Sequence, residues 1–180
     1  MIPRLSPDAL RSDVAEMLRP RVARLGYLGE FFMCAAHQPS ALISFMAFTE
    51  DLKHALPDRV TETVALTVST ELGNAYERHQ HERLSIKLGF GEEWIRAIEA
   101  LDPDHSAIGE IERRVQTLTL SAIRRHGHGT AGELELVVSS VGHEQAIAVL
   151  MLIGRYVTHA LMVNALELQP PVPSPLAATS

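Results

Sequence analysis

The stretch Thr61-Glu-Thr-Val-Ala-Leu-Thr-Val-Ser-Thr-Glu-Leu-Gly-Asn-Ala-Tyr-Glu-Arg-His-Gln-His81 decides the reading of this chain. Its first half carries Val64, Ala65, Leu66, Val68 and Leu72 around most of a helix, and a helix apolar on every side must be buried on every side. Gly73 closes that helix, and Asn74 is a good N-cap for the next. At about 100° per residue, Glu77, His81, Leu84 and Leu88 then share one face. A carboxylate and an imidazole on a leucine-bearing stripe are costly unless they pair or serve a site. Glu62, on a face with Leu66 and Ser69, poses the same question. Local sequence leaves two readings open. In one, the three groups form a proton-handling pocket, in which burial raises carboxyl pKa values and a nearby carboxylate keeps the imidazole protonated. In the other, Asn74 and Glu77 make a near capping box, His81 is a satisfied core histidine, and Glu62 pairs with a nearby Arg such as Arg59.

Outward from this stretch, the prolines organise the chain. The ten of them leave Asp58–Asp102 and Asp104–Gln169 free, and those are the windows where helices can run. Helices are predicted from Ser6 to about Leu25 (disturbed at Pro20), Leu28–Ala36, Pro39 to about Leu56, Pro57–Gly73, Asn74–Gly89, Gly91–Leu101, Ile108–Arg125, Thr130–Ser139, and Gly142 to about Leu166. Aromatic residues are 5% of the chain and no hairpin turn is flanked by alternating residues, so strand signals are weak. The expected fold class is all-α, with one domain over residues 1–168. Residues 169–180, with four prolines and no charge, form an extended or disordered tail. The last helix, with Ile147, Val149, Leu150, Met151, Leu152, Ile153, Val157, Leu161 and Met162, is the second one apolar nearly all round. A chain of 180 residues centres one such helix more easily than two, so part of one is expected to be covered by another subunit.

Composition excludes several functions. The net charge of −6 argues against nucleic acid as the main partner. Ala146–Ile153 is broken by Arg155 and His159 and is too short to span a bilayer. Met1–Leu10 holds no apolar run of signal-peptide type, so a cytoplasmic location is expected. A single cysteine, Cys34, excludes an intrachain disulfide. Its neighbours Phe31, Phe32 and Met33 favour a buried, inert thiol.

The spacing of Glu62, Asn74, Glu77 and His81 resembles the Glu-x11-Cys-x2-Cys-x3-His pattern of the carboxymuconolactone decarboxylase and alkylhydroperoxidase D superfamily. His37-Gln-Pro39 before Ala41–Phe45 resembles that family's "H-x-P" helix start. Leu56-Pro-Asp-Arg-Val-Thr-Glu62 resembles its "L-x-x-R-x-x-E" entry to the motif helix. Ala75–Gly89 is similar to the branch with "Y-E-W-x-x-H" and a closing glycine. The resemblance covers about residues 20–170 and implies an obligate oligomer, trimer or hexamer, of the helical alkylhydroperoxidase D-like type.

Both cysteine positions of the pattern are replaced here, by Asn74 and Glu77, and a thiol–disulfide cycle needs a thiolate and a resolving thiol. Dithiol peroxidase activity is therefore excluded. The decarboxylase branch, which also works without the pair, implies acid–base chemistry on a small carboxylated lactone or related compound. There His81 would be general acid or base, Glu77 would orient it or exchange a proton with it, and Glu62 would complete the relay. Asn74, Tyr76 and His79 would touch substrate, and Arg59 or Arg78 would help to hold a developing anion. A non-catalytic oligomeric ligand-binding or assembly protein is the rival from a different class. No cofactor is expected, and no metal, although Glu62, Glu77 and His81 could supply three ligands; His79 and His81, two apart, point away from each other on a helix. His126-Gly-His-Gly129 reads as an exposed turn, Glu71 and Glu82 as solvated, and His159 as a core or interface histidine.

Overall fold

The computed structural model describes residues 2–177; Met1 and residues 178–180, the end of the tail read above as extended, lie outside the described residues. Among those described there are eight α-helices and no strand: α1 (Ser12–Leu25), α2 (Glu30–Ala35), α3 (Pro39–Ala55), α4 (Asp58–Glu71), α5 (Ala75–Lys87), α6 (Glu92–Glu99), α7 (Glu110–Arg124) and α8 (Ala131–Ala165). The all-α expectation holds. Only Pro7–Ala9 of the first predicted helix is helical before α1, and as a single 3₁₀ turn. Pro20 sits inside α1 without ending it.

The apolar helix of the deciding stretch is the centre of the molecule. Every residue of α4 from Val60 to Ser69 is buried, with α5, α7 and α8 packed around it. Val64, Ala65 and Val68 face a core shared with Val115, Leu118, Val149 and Leu152. A second core, under α1, α2 and α3, gathers Val14, Leu18, Phe31 and Leu42 with Tyr76 and Val163. The candidate site lies between the two.

The two predicted C-terminal helices are both present and together make up α8, joined across a kink at Gly142, whose φ of 82° and ψ of 171° are open only to glycine. Taken whole, α8 is long and apolar enough to cross a membrane, longer than the eight-residue run read from sequence, and 56% of its apolar window is buried in the fold. Ile147, Met151 and Leu161 leave an exposed apolar stripe on it, with Gly154 and Thr158 between them.

The C-terminal segment lacks helix, as its prolines predict, but it is not loose. His79 Nδ1 is 3.1 Å from the Val172 carbonyl, both Nε and Nη2 of Arg83 are 3.2 Å from that of Pro173, and Arg96 Nη2 is 3.2 Å from that of Leu176. Three carbonyls pinned by cationic or imidazole groups hold an otherwise uncharged segment against α5 and α6.

Candidate active site

Glu62 is 2% exposed, at mid-length of the central helix, and His81 is 5% exposed on α5. They meet: His81 Nδ1 lies 2.7 Å from Glu62 Oε2, to which the Ser85 hydroxyl also donates at 3.3 Å. The other ring nitrogen, Nε2, is 3.2 Å from the Tyr156 hydroxyl and 3.7 Å from Glu77 Oε1. Burial works against a charge on His81, but Glu62 and Glu77 outweigh it and raise its pKa. As an imidazolium it donates through Nδ1–H to Glu62, and Nε2–H is left for Tyr156, Glu77 or a bound molecule.

Glu77 is clamped from α8. Arg155 Nη1 donates to Glu77 Oε1 at 2.8 Å, its Nε donates to the Thr49 hydroxyl at 3.0 Å, and that hydroxyl donates to the Phe45 carbonyl at 2.7 Å. His159 Nε2 is 3.4 Å from Glu77 Oε2. Burial alone would raise the Glu77 pKa; the charges of His159, Arg155 and His81 override it and hold the carboxyl well below the usual range. Because burial pushes His159 itself down to about 4, Arg155 and His81 carry that effect at neutral pH. Glu77 is thus a fixed carboxylate, not an acid in waiting.

Asn74 sets the state of His159. Its Oδ1 accepts from the Glu77 backbone N–H at 3.1 Å, closing the N-cap. Its Nδ2 must then face outward, where it donates to His159 Nδ1 at 3.2 Å. A ring nitrogen that accepts carries no proton, so the His159 proton sits on Nε2, toward Glu77. The cap and the pocket, alternatives in sequence, are the same structure: Asn74 caps, while the Glu77 side chain turns inward instead of returning to the Asn74 N–H, which donates to the Ser69 carbonyl.

The other predicted site residues separate. Tyr76 is buried, and its hydroxyl accepts from the Phe31 N–H at 3.3 Å. It comes so near Gly29 that a side chain there would meet the oxygen at 2.3 Å, so the close approach requires glycine. Tyr76 lines a small void with Glu77 and His159 but does not bond His81. His79 is turned away, to Val172. Arg59 does not pair with Glu62; it holds Glu112 at 2.7 Å and lies over the Phe90 and Trp94 rings. Arg78 faces Glu82. Glu71 is held by Arg124 at 2.7 Å, and Glu82, read as solvated, is 1% exposed. The inward stripe of α5 runs Glu77, His81, Ser85; Leu84 is half-buried and Leu88 exposed. Cys34 is buried, and burial raises its thiol pKa, so it is no thiolate source. Among the described residues no three His, Cys, Asp or Glu side chains are arranged to hold a metal ion.

Sequence reasoning missed the contribution of α8. Arg155, Tyr156 and His159 all reach the site, with Thr49 behind Arg155. The signal was present: the only charge between Ala146 and Asn164 is Arg155, in an otherwise apolar run, with His159 one turn on.

Glu77 and His81 open onto a cleft of about 440 Å³. Arg21, Arg24, Lys53, Arg83 and Lys87 line it with Arg155, against Glu50 alone among acids outside the site. In a chain of net charge −6 this is a local reversal of sign. Burial, and then the neighbouring Arg155, lowers the Lys53 pKa.

The fold is an alkylhydroperoxidase D-like helical architecture, and Glu62, Glu77 and His81 converge within it. Solved structures confirm the architecture. A peroxidase-related protein with an alkylhydroperoxidase AhpD core from Ralstonia eutropha JMP134 superimposes at a TM-score of 0.81, with 15% identity over 93% of this chain and 90% of that one. A putative antioxidant defence protein AhpD from Agrobacterium tumefaciens gives 0.70, with 20% identity over 77% and 96%. The debrominase Bmp8 gives 0.80 in its apo form, with 14% identity over 96% and 92%. A cysteine variant of Bmp8 is known in complex with 2,3,4-tribromopyrrole. No protein-family model and no curated protein matches the sequence.

Proposed function

We propose that this protein is a cysteine-independent, carboxymuconolactone decarboxylase-like enzyme that decarboxylates or isomerises a small carboxylated lactone or related compound by acid–base chemistry. The observation that carries the reading is His81: an imidazole held at Nδ1 by Glu62, with Nε2 directed to Glu77, Tyr156 and the cleft, and with its pKa raised by the two carboxylates. Fixing one nitrogen leaves the other as the delivering atom. The cationic lining supports an anionic substrate. The tribromopyrrole complex of Bmp8 supports a small ring compound in this fold.

In the decarboxylation, the bond from ring carbon to carboxylate breaks, CO₂ leaves, and the electron pair enters a conjugated carbonyl as an enolate. Arg155, oriented by Glu77 and Thr49 and lining the cleft, would stabilise that negative charge. His81 Nε2–H then protonates the carbon. Glu62 keeps the imidazole oriented throughout, and Glu77, ionised and paired, keeps it charged. In an isomerisation His81 Nε2–H would protonate one carbon of the conjugated system, and the neutral imidazole left behind would then remove a proton from another, restoring the imidazolium.

The proposal includes a cytoplasmic homo-oligomer, trimer or hexamer, which the uncovered stripe of Ile147, Met151 and Leu161 supports. A monomer at micromolar concentration in light scattering would remove that part.

The test of the reaction is CO₂ release from carboxymuconolactone by wild type and by His81→Ala, beside a dithiol-driven peroxidase assay. Turnover in wild type that the variant loses is the expected result. A wild type that binds the lactone without turning it over would favour the non-catalytic reading instead.

A further inference from the structure

The cleft in front of His81 has a floor and a rim of different electrostatic character. Glu77, His81 and Arg155 at the floor are buried, and their charges are matched: Arg155 is 2.8 Å from Glu77, and His81 is 2.7 Å from Glu62. The rim is not matched. Arg21 and Arg24 of α1, Lys53 of α3, and Arg83 and Lys87 of α5 line the cleft together, with Glu50 as the acid among them. Glu50 lies 3.7 Å from Arg21. Arg24, Lys53, Arg83 and Lys87 enter no ion pair among the described residues.

This arrangement works against the helices that carry it. Arg83 and Lys87 are four apart on α5, and Arg21 and Arg24 are three apart on α1, so like charges stand side by side on each. Lys53 is crowded too, since burial and then Arg155 lower its pKa. Acids are not scarce in a chain with 22 Asp and Glu against 16 Lys and Arg, yet the rim holds only Glu50. Arg83 is also held in place: its Nε and Nη2 donate to the Pro173 carbonyl, both at 3.2 Å, and the rest of its guanidinium fork stays free. Positive charge that is positioned but not neutralised suits a ligand that brings the missing negative charge.

We propose that the rim is a phosphate subsite, so that the molecule brought to His81 carries a phosphate group in addition to the group that reacts. A carboxylate brings one charge and two coplanar oxygens, which suit a single guanidinium fork. A phosphate brings about two charges and three splayed acceptor oxygens, and so suits cations that come from α1, α3 and α5. A cleft of about 440 Å³ has room for a small ring compound bearing one such group. Leu25, Tyr27 and Leu84, which also line it, give the apolar part of that compound a surface to lie against. That the phosphate-bearing molecule is the substrate rests on the acid–base reading of His81; the subsite itself does not.

Isothermal titration calorimetry of the full chain at neutral pH and low salt tests the subsite with pyrophosphate, and with citrate as a carboxylate probe of similar charge. Pyrophosphate should bind once per chain and roughly tenfold more tightly than citrate. Arg83→Gln and Lys87→Gln should each weaken it roughly tenfold. Arg19→Gln removes the same charge from an exposed position of α1 outside the cleft, and should weaken it by less than about twofold. Lys87 is exposed and unpaired, so its variant keeps the fold, which an unchanged melting temperature without ligand verifies. Absence of pyrophosphate binding overturns the proposal. Citrate binding as tightly as pyrophosphate also overturns it, because the rim then attracts anions of any kind, and so does an equal loss in Arg19→Gln. Turnover of carboxymuconolactone by a protein that does not bind pyrophosphate leaves the reaction standing without the subsite; pyrophosphate binding without turnover leaves the subsite standing without the reaction.

Discussion

One helix, α5, buries acid on two sides, and the two sides are solved differently. Toward α4 and α8, Glu77 and His81 meet Glu62 and Arg155, so two negative and two positive groups interlock, and every charge has an opposite partner within 3.7 Å. Toward α6, Glu82 meets another carboxyl, Glu99, and the cations nearby are offset or exposed. The balanced side faces each carboxylate with a guanidinium or with an imidazole whose pKa its neighbours raise. On the unbalanced side burial and the neighbouring acid push the Glu99 carboxyl up to about 7. Burial of charge yields a fixed electrostatic frame in the first case and a titrating carboxyl in the second.

The largest effect should come from breaking the balance. Arg155→Met leaves Glu77 buried without its guanidinium and should cost roughly 3–5 kcal/mol of stability in denaturant unfolding. Adding Glu77→Gln should recover part of that loss, and a double variant as unstable as the sum of the single ones would show the two residues are not coupled. His81→Gln comes next. It should abolish turnover and also flatten the pH profile of stability. In the wild type, the folded pKa of His81 is raised above 6.5, so its contribution is full below that value and fades as pH rises through the folded pKa. Thermal melts of both proteins across that range check it; an unchanged profile in the variant would count against the pairing.

On the other side of α5 stability also fades as pH rises, but here the substitution should stabilise. Glu99→Gln removes a group whose cost grows from about pH 4.5 to about 7, so it should raise the melting temperature most at and above pH 7 and least below about pH 4.5. The smallest effect belongs to Tyr156→Phe, which deletes one hydrogen bond to His81 of 3.2 Å and should cost about 1 kcal/mol. A larger loss of turnover than of stability in that variant would make Tyr156 part of the proton path.

The helices were legible because proline and glycine mark their ends: Pro39, Pro57, Gly73 and Gly89 bound α3, α4 and α5 in sequence and in space. The core of the site was legible because Glu62, Glu77 and His81 sit at helical spacing among apolar residues, and they do converge. Arg155, Tyr156 and His159 were not identified as site residues, since nothing local says which face of an all-round apolar helix meets α5. Glu82 was misread for the opposite reason. An acidic residue beside Arg78 and Arg83 looks solvated until α6 and a segment some ninety residues later close over it.

The burial of Cys34 has a practical use. Its thiol is shielded and weakly acidic, so it should react slowly with maleimides and methanethiosulfonates. A cysteine introduced at an exposed position such as Thr158 would be labelled selectively without first removing the native one. A spin label there, in the middle of the uncovered stripe of α8, would test the proposed oligomer directly: a trimer and a hexamer would differ in the number of distances seen, and a monomer would give none.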